Sequence, residues 1–400
     1  MDTKPIWIDK SLMIDFLQLN DDLQVDVAVI GAGITGITTA EQLKRRGLKV
    51  AVLESRAVGK GTSGQSTGNL YTVTEYPNYE IEEKYDLDTV KQVVQSRKVA
   101  LEYITEKINQ LNIDCDFREQ SMYIFENDGS IDFEKEKIIA QKTGLPCSAL
   151  KNGKVPFNFN EGIEYTNQAQ FNPLLYVQHL AKSIHDETCS IYENSRVLEI
   201  DEKDEHIRLK TESATVTANR VVHATHTPMG LHIQYHTTLG PYREYGIGVK
   251  LRNHIYPEGI FWGHFENKKY SVRTYTIDGE PYLLCIGSMH KVGQAKDNKA
   301  HIQELETFVR NHFEVERITH QWGGQNYKSA DLLPYIGQKS AGSNQYIATG
   351  FSTDGLIYGT LAGMLLADEI SGTENPFSEL YKASRHQPLK AANKFAKENL

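Results

Sequence analysis

The chain has 400 residues, 40% of them apolar and 24% charged, with 43 Lys and Arg against 52 Asp and Glu and a net charge of −9. This composition excludes a disordered chain, the length calls for two or three domains at roughly 150 residues each, and the acidity argues against a broad basic face for nucleic acid. No stretch approaches the ~18 apolar residues of a transmembrane helix.

In chain order, Met1 to Asn20 breaks its apolar residues with Lys4, Asp9, Lys10 and Asp15, unlike a secretory signal. Val25 to Ile30 is a short β-branched run, read as a buried parallel strand. Gly31-Ala32-Gly33-Ile34-Thr35-Gly36 follows at once, and Ile37 to Arg46 is helical, stopped by Gly47. Lys49 to Leu53 is a second strand ended by Glu54, completing a βαβ unit. Leu87 to Asn112, Phe133 to Lys142 and Leu174 to Ile184 have helical patterns, and Tyr123 to Phe125 looks like a strand. Ser195 to Ile200 and Ile207 to Thr211 read as a hairpin, with Val221-Val222 as a buried strand. Tyr242 to Met289 alternates as antiparallel sheet, His301 to Phe313 is helical, and Tyr346 to Glu369 is strand, Gly-rich turn and helix.

Three segments carry chemistry. Gly31-x-Gly33-x-x-Gly36 sits between a strand and a helix, with Glu54 lying 18 residues past Gly36. In that context the glycines allow a tight turn, close approach to a pyrophosphate and helix–strand packing, with Glu54 accepting from ribose hydroxyls. The helix N-terminus offers free N–H groups and positive dipole to phosphates. Gly61-Thr62-Ser63-Gly64-Gln65-Ser66-Thr67-Gly68-Asn69-Leu70 follows the second strand closely; its hydroxyls and glycines suit a loop wrapping a long cofactor, which favours FAD over NAD. A solvated surface loop is the alternative for that segment. Gly350-Phe351-Ser352-Thr353-Asp354-Gly355-Leu356 then opens the last helix, and its N–H groups would face a negative centre, with Asp354 as a plain N-cap the alternative. Gly355, Gly359 and Gly363 recur every fourth residue and leave one helix face flat for close packing.

Together these segments resemble the D-amino-acid oxidase and glycine oxidase family of flavoproteins, over about Asp26 to Gly372. Glu54-Ser55-Arg56 and Gly61 to Leu70 match its second FAD loop, and Val197 lies where the family holds adenine through backbone contacts. Ala224-Thr225-His226 resembles a segment ending in Ala-Thr-Gly, with His226 in place of the glycine. Ala224 to Pro228, Trp322 to Tyr327 and Asn375 to Tyr381 followed by Ser384-Arg385 resemble bacterial FAD oxidoreductases that carry a C-terminal Rieske domain. Such a domain needs two Cys-x-His-type motifs, and the sequence has none; a short relative and a chain lacking that part are both open.

The expected fold is α/β (α+β overall), a Rossmann-like FAD-binding domain with an antiparallel-sheet substrate domain. The FAD-binding domain is assigned to 22–85, 160–235 and 320–375, the substrate domain to 86–159 and 236–319, and a tail or linker to 376–400. The resemblance implies hydride transfer from an amine or amino-acid-like C–N bond to flavin N5, in an FAD-dependent oxidase or dehydrogenase. Its electrons would pass to oxygen or a redox carrier. The alternatives are a flavin electron-transfer component feeding a Rieske-type carrier, and a noncatalytic flavin-binding protein.

On the substrate side, Arg273 with Tyr275, and Arg243 with Tyr245, share strand parity and could hold a carboxylate, or could be ordinary sheet surface. Asn326 stands where the resemblance places a carboxylate-binding arginine in glycine-oxidase-like members, which makes a simple amine or an unusual amino compound a stronger candidate. His226 is a further candidate beside the flavin. His232 and His236 have helical i, i+4 spacing, but no third ligand has suitable spacing, so no metal is expected. Cys115, Cys147, Cys189 and Cys285 occur singly, so neither a disulfide framework nor a zinc site is expected and a cytoplasmic setting is read. Cys147 and Cys285 are read as core residues. The segment Gln325 to Tyr335 has no cysteine, so noncovalent FAD is expected.

Overall fold

The computed structural model describes residues 4–203, 206–227, 238–265, 268–294 and 297–385. Pro228 and the His232–His236 pair lie outside the described residues. The early strands are β1 (Leu23–Ile30), β2 (Val50–Leu53), β3 (Asn69–Leu70), β4 (Arg118–Glu126), β5 (Cys147–Ala149) and β6 (Glu161–Gln170). Then come β7 (Cys189–Tyr192), β8 (Glu199–Lys203), β9 (His206–Lys210), β10 (Thr215–His223), β11 (Leu239–Leu251) and β12 (Ile260–Phe265). The last are β13 (Lys268–Ile277), β14 (Glu280–Lys291), β15 (Val315–Ser329), β16 (Tyr335–Gln338) and β17 (Gln345–Thr349). The helices are α1 (Ile34–Arg45), α2 (Asn78–Lys84), α3 (Leu87–Leu111), α4 (Phe133–Lys142), α5 (Pro173–Ile184), α6 (Asn298–His312), α7 (Gly355–Ser371) and α8 (Ser378–Tyr381).

One sheet runs β16-β17-β10-β1-β2-β7, parallel from β17 to β7, with the β8–β9 hairpin attached to β10. The chain leaves β1 first to one side, for β2, and later returns on the other, for β10. The carboxyl end of β1 is therefore a topological switch point, where open α/β sheets form a crevice. Val27 and Val29 on one face of β1 pack with α1, α3, α5 and α7; Ala28 and Ile30 on the other join a cluster with Val197, Ile207 and Leu209. The hairpin starts at Glu199, four residues later than the sequence pattern suggests; Ser195 is engaged elsewhere, its N–H donating to Glu54 O and its Oγ accepting from Leu19 N.

The second sheet runs β15-β11-β14-β13-β12-β4-β6-β3, antiparallel except where β12 meets β4, with β5 on β6. It recruits β3, β6 and β15 from segments assigned on sequence to the FAD-binding domain, and the first layer recruits α3 from the substrate segment. Those strands pair into the second sheet because their partners lie there: Asn69 opposite Gln170, and Leu239 to Leu251 along most of β15. The segment expected as a tail also begins later than assigned. Tyr381 is fully buried, and Arg385 binds Asp331 and the carbonyls of Leu333 and Pro334.

Helix α7 lies against α1. A Cβ on Gly359 would sit 2.7 Å from Thr35 Oγ1, and one on Gly363 2.7 Å from Thr38 Cβ, so two of the three periodic glycines make this contact. The third, Gly355, has no neighbour in that direction and borders the cavity described below. Overpacking here carries the usual core penalty: Gly363→Val should destabilise by about 1–3 kcal/mol, read as a lower urea midpoint at an unchanged slope.

Candidate active site

A cavity of about 540 Å³ runs from the carboxyl end of β1 to the facing surface of the second sheet. At its first end the glycine motif behaves as its spacing predicts. Gly31 has φ +103°, and a Cβ there would meet Ala224 O at 2.6 Å. A Cβ on Gly36 would meet Gly31 O at 1.9 Å, so Gly36 underlies the turn and does not border the cavity. Gly33, Ile34 and Thr35 line it, with Glu54, Ser55 and Arg56 beside them. Glu54 is already oriented, its two oxygens accepting from Ala32 N and Arg56 N at 2.9 Å each. Ala32 contributes through that bond and not as a lining residue. Val197, Ala224, Thr225 and His226 complete this end. His226 keeps the glycine-like backbone, with φ +70°. Its Nδ1 lies 3.0 Å from Thr62 Oγ1, and burial pushes its imidazole down to about 4, so it is neutral at neutral pH.

The 61–70 loop forms the middle of the cavity. Gly61, Thr62, Ser63, Ser66 and Thr67 line it, and Ser63 Oγ caps α1 by accepting from Ile34 N at 3.0 Å. Four successive carbonyls of this loop are held from outside by side chains. Trp322 Nε1 donates to Gln65 O at 2.9 Å and Trp7 Nε1 to Ser66 O at 2.7 Å. Arg273 Nη1 donates to Thr67 O at 3.0 Å and to Gly68 O at 2.7 Å. Gly64 and Gly68 shape the loop, and Asn69 and Leu70 leave it as β3, so these four do not line the cavity.

Phe351, Ser352, Thr353, Gly355 and Leu356 line the cavity at the start of α7, while Gly350, at φ +77°, makes the turn behind them. Asp354 stands at the N-cap but makes no side-chain cap. Its carboxylate instead accepts from Tyr71 Oη at 2.9 Å, Glu75 N at 3.0 Å and Arg97 Nη1 at 3.1 Å. The first N–H groups of α7 are thereby left for an electron-rich group at the cavity.

The far wall belongs to the second sheet, whose two faces are distinct. Tyr245, Ile247, Val249 and Leu251 form the core under α6, so the Tyr245 ring stacks on His301 (5.2 Å, interplanar angle 2°) and its hydroxyl donates to Asn298. Its ring therefore points away from the expected substrate side, although the residue borders the cavity. Arg273 and Tyr275 do lie on the cavity-facing side of β13, but too far along it. Lys269 and Ser271, with the same parity, reach the cavity; Arg273 holds the loop, and Tyr275 packs against Trp7 and Tyr282. Asn326 lines the cavity, with its buried Oδ1 unpartnered. Sequence reasoning missed Glu244, Trp262, Lys269 and Trp322 on this wall. A signal was present for Glu244: it alternates with the apolar run beginning at Tyr245 and shares parity with Gly246 and Gly248.

Glu75, Lys328, Asp354 and Arg97 pair off beneath this wall. Lys328 binds Glu75, whose carboxyl is held down to about 2, against its burial, by Lys328 and Lys269. Lys269 Nζ sits 3.8 Å from the Trp262 ring centroid, and burial lowers its pKa. Burial, with Glu75 next in weight, raises the Glu244 carboxyl to about 7.

FAD fits these residues. Gly31 admits no side chain, the N-termini of α1 and α7 converge on the cavity, and Trp262 Nε1, Asn326 Oδ1 and Thr353 Oγ1 are buried polar atoms without partners on the lining. None of the four cysteines lines the cavity. The FAD dependent oxidoreductase (DAO) family model matches residues 26–369. The putative Rieske 2Fe-2S iron-sulfur protein YhfW of Bacillus subtilis is 28% identical over 387 residues, covering 95% of this chain and 75% of that protein. Gamma-glutamylputrescine oxidoreductase of Escherichia coli is 24% identical over 90% of this chain and 87% of its own. Glycine oxidase from Geobacillus kaustophilus shares the fold with a TM-score of 0.75 at 18% identity, covering 91% of this chain and all of that one. Among the described residues no helix is long and apolar enough to cross a membrane.

The loop carbonyls give a direct test. Trp7→Phe keeps the ring but leaves Ser66 O without its donor. FAD should then bind about tenfold more weakly, the worth of about one hydrogen bond, with an unchanged circular dichroism spectrum. Titration of the apoenzyme with FAD measures this, and equal affinity would show that the clasp contributes nothing.

Proposed function

The chain belongs to the FAD dependent oxidoreductase (DAO) family, and on that premise we propose that it is an FAD-dependent enzyme oxidising the C–N bond of a small amine or amino acid. FAD is its cofactor and supplies two-electron oxidation of a C–H bond next to nitrogen. The observation that carries the reading is the far wall, where Gly324 leaves open space opposite Glu244 on a surface that Trp262 and Lys269 also line, while Gly246 and Gly287 accommodate the rings of Trp322 and Tyr270. The gap at Gly324 makes room for a small substrate, and Glu244 and Lys269 give it polar partners.

The protein's own part is positioning. The turn at Gly31, the N-terminus of α1 and the 61–68 loop would hold the pyrophosphate, with Glu54 on a ribose. The free N–H groups at the start of α7 would favour added negative charge on the flavin end. The apolar parts of Trp262, Ile286 and Trp322 line the substrate end and exclude water. A second reading, in which electrons pass on to a separate iron–sulfur carrier, is favoured by the similarity to the Bacillus subtilis protein of that name.

Anaerobic mixing of the yellow holoenzyme with primary amines, secondary amines and α-amino acids should bleach the flavin with at least one compound. A flavin left oxidised by every compound of the panel would overturn the reading. Rapid reoxidation of the bleached enzyme by air would favour an oxidase; slow reoxidation would favour the carrier. Gly33→Val should yield folded, colourless protein, because a side chain there meets Ser63 Oγ and fills the phosphate approach.

A further inference from the structure

We propose that Glu244 receives the substrate amine as a cation and takes its N–H proton, an assignment that rests on the amine-oxidising reading above. Among the described residues two carboxyl side chains line the cavity, Glu54 and Glu244. Glu54 is engaged by backbone N–H groups at the dinucleotide end. Glu244 makes no hydrogen bond or ion pair with the described residues, so its oxygens are left for a ligand.

Its placement follows from the strand. Tyr245, Ile247 and Val249 commit one face of β11 to the core under α6, and Glu244 turns to the other. The residue opposite it on β15 is Gly324, whose missing side chain would meet nothing closer than 3.9 Å. A carboxyl beside open space is thus built into the wall. The neighbouring strand pair slips its register between Arg243 and Tyr245, and the added twist of such an irregularity suits a residue aimed at a ligand.

The charges facing Glu244 come from every element packed against it: Glu75 after β3, Asp354 at α7, Lys269 on β13 and Lys328 on β15. Burial and the two acids favour its protonated form, while the two lysines oppose them. The balance lies at about 7, so near neutral pH the group exchanges a proton readily. The proposed step is a proton transfer alone. The ammonium N–H bond breaks, its electron pair stays on nitrogen as the lone pair that oxidation requires, and the proton passes to the carboxylate and later to solvent. Below about 7 the carboxyl is neutral and can neither attract the cation nor accept its proton, so the rate should fall as pH falls through that value.

The test uses wild-type, Glu244→Gln and Glu244→Asp holoenzymes, each first shown to retain one FAD per chain. With the amine that bleaches the wild type fastest, the limiting rate of flavin reduction should rise with pH through about 7. Glu244→Gln should lose that rise and fall by about 100-fold at neutral pH, while Glu244→Asp should keep the rise. Tetramethylammonium, a cation with no proton to give, supplies a second readout through its perturbation of the flavin spectrum. Its affinity should weaken about tenfold or more in Glu244→Gln. A Gln variant with the wild-type pH profile and the wild-type tetramethylammonium affinity would overturn the assignment. Failure of every amine to bleach the wild type strikes instead at the amine-oxidising reading, and the tetramethylammonium comparison still decides whether Glu244 binds cations.

Discussion

The site depends on how the 61–70 loop disposes of its carbonyls. A loop proposed to cradle phosphate must show donors to the ligand, so its acceptors need partners elsewhere. Here four consecutive acceptors, Gln65 to Gly68, are met by Trp322, Trp7 and Arg273. Those side chains come from β15, the N-terminal turn and β13. The same bonds that orient the loop therefore fasten the N-terminal segment and the second sheet onto the dinucleotide layer.

A second fastening lies one layer deeper. The fully buried Arg97–Asp354 pair joins α3 to the start of α7, and Tyr71 and Glu75 N complete the Asp354 shell. Desolvating two charges is expensive unless their hydrogen bonds are filled, and removing one partner of such a pair costs about 3–5 kcal/mol. The arrangement spends Asp354 on its neighbours and leaves the helix end uncapped. Stability and anion affinity are thus separated: the carboxylate holds the helix in place, and the helix N–H groups remain available to the cavity.

The dinucleotide half was legible in the sequence because its constraints are local. Gly31 needs a positive φ, Gly36 cannot carry a Cβ against Gly31 O, and both demands follow from a turn of six residues. His226, read through its neighbours Ala224 and Thr225, borders the cavity and has a glycine-like positive φ. The far wall was harder to read, because strand parity is relative until one face is known to be core. Tyr245 looked like a substrate residue until α6 claimed its face, and that exchange brought Glu244 into view. Arg273 had the right face and the wrong distance along β13, which only the docking of the two sheets decides. The pairing of β6 and β15 in the second sheet was hidden for the same reason: their partners are far away in sequence.

On the proposed amine-oxidising reading, the electrostatics of the wall account for a weak base serving a strong ammonium. In water a carboxyl near 4 and an amine near 10 are separated by about six pH units, and proton transfer between them is steeply uphill. Burial disfavours both charged forms, so it moves the two values toward each other. Glu244 shows the first half of that movement, reaching about 7. Lys269 shows the second: it is an ammonium on the same wall, and burial is the largest cause lowering its pKa. On the proposed reading, a substrate nitrogen beside Trp262 would meet the desolvation that Lys269 already feels. The enclosure that narrows the gap is provided by glycine-lined space and indole rings, so proton affinity on this wall is set as much by the shape of the cavity as by the identity of its acid.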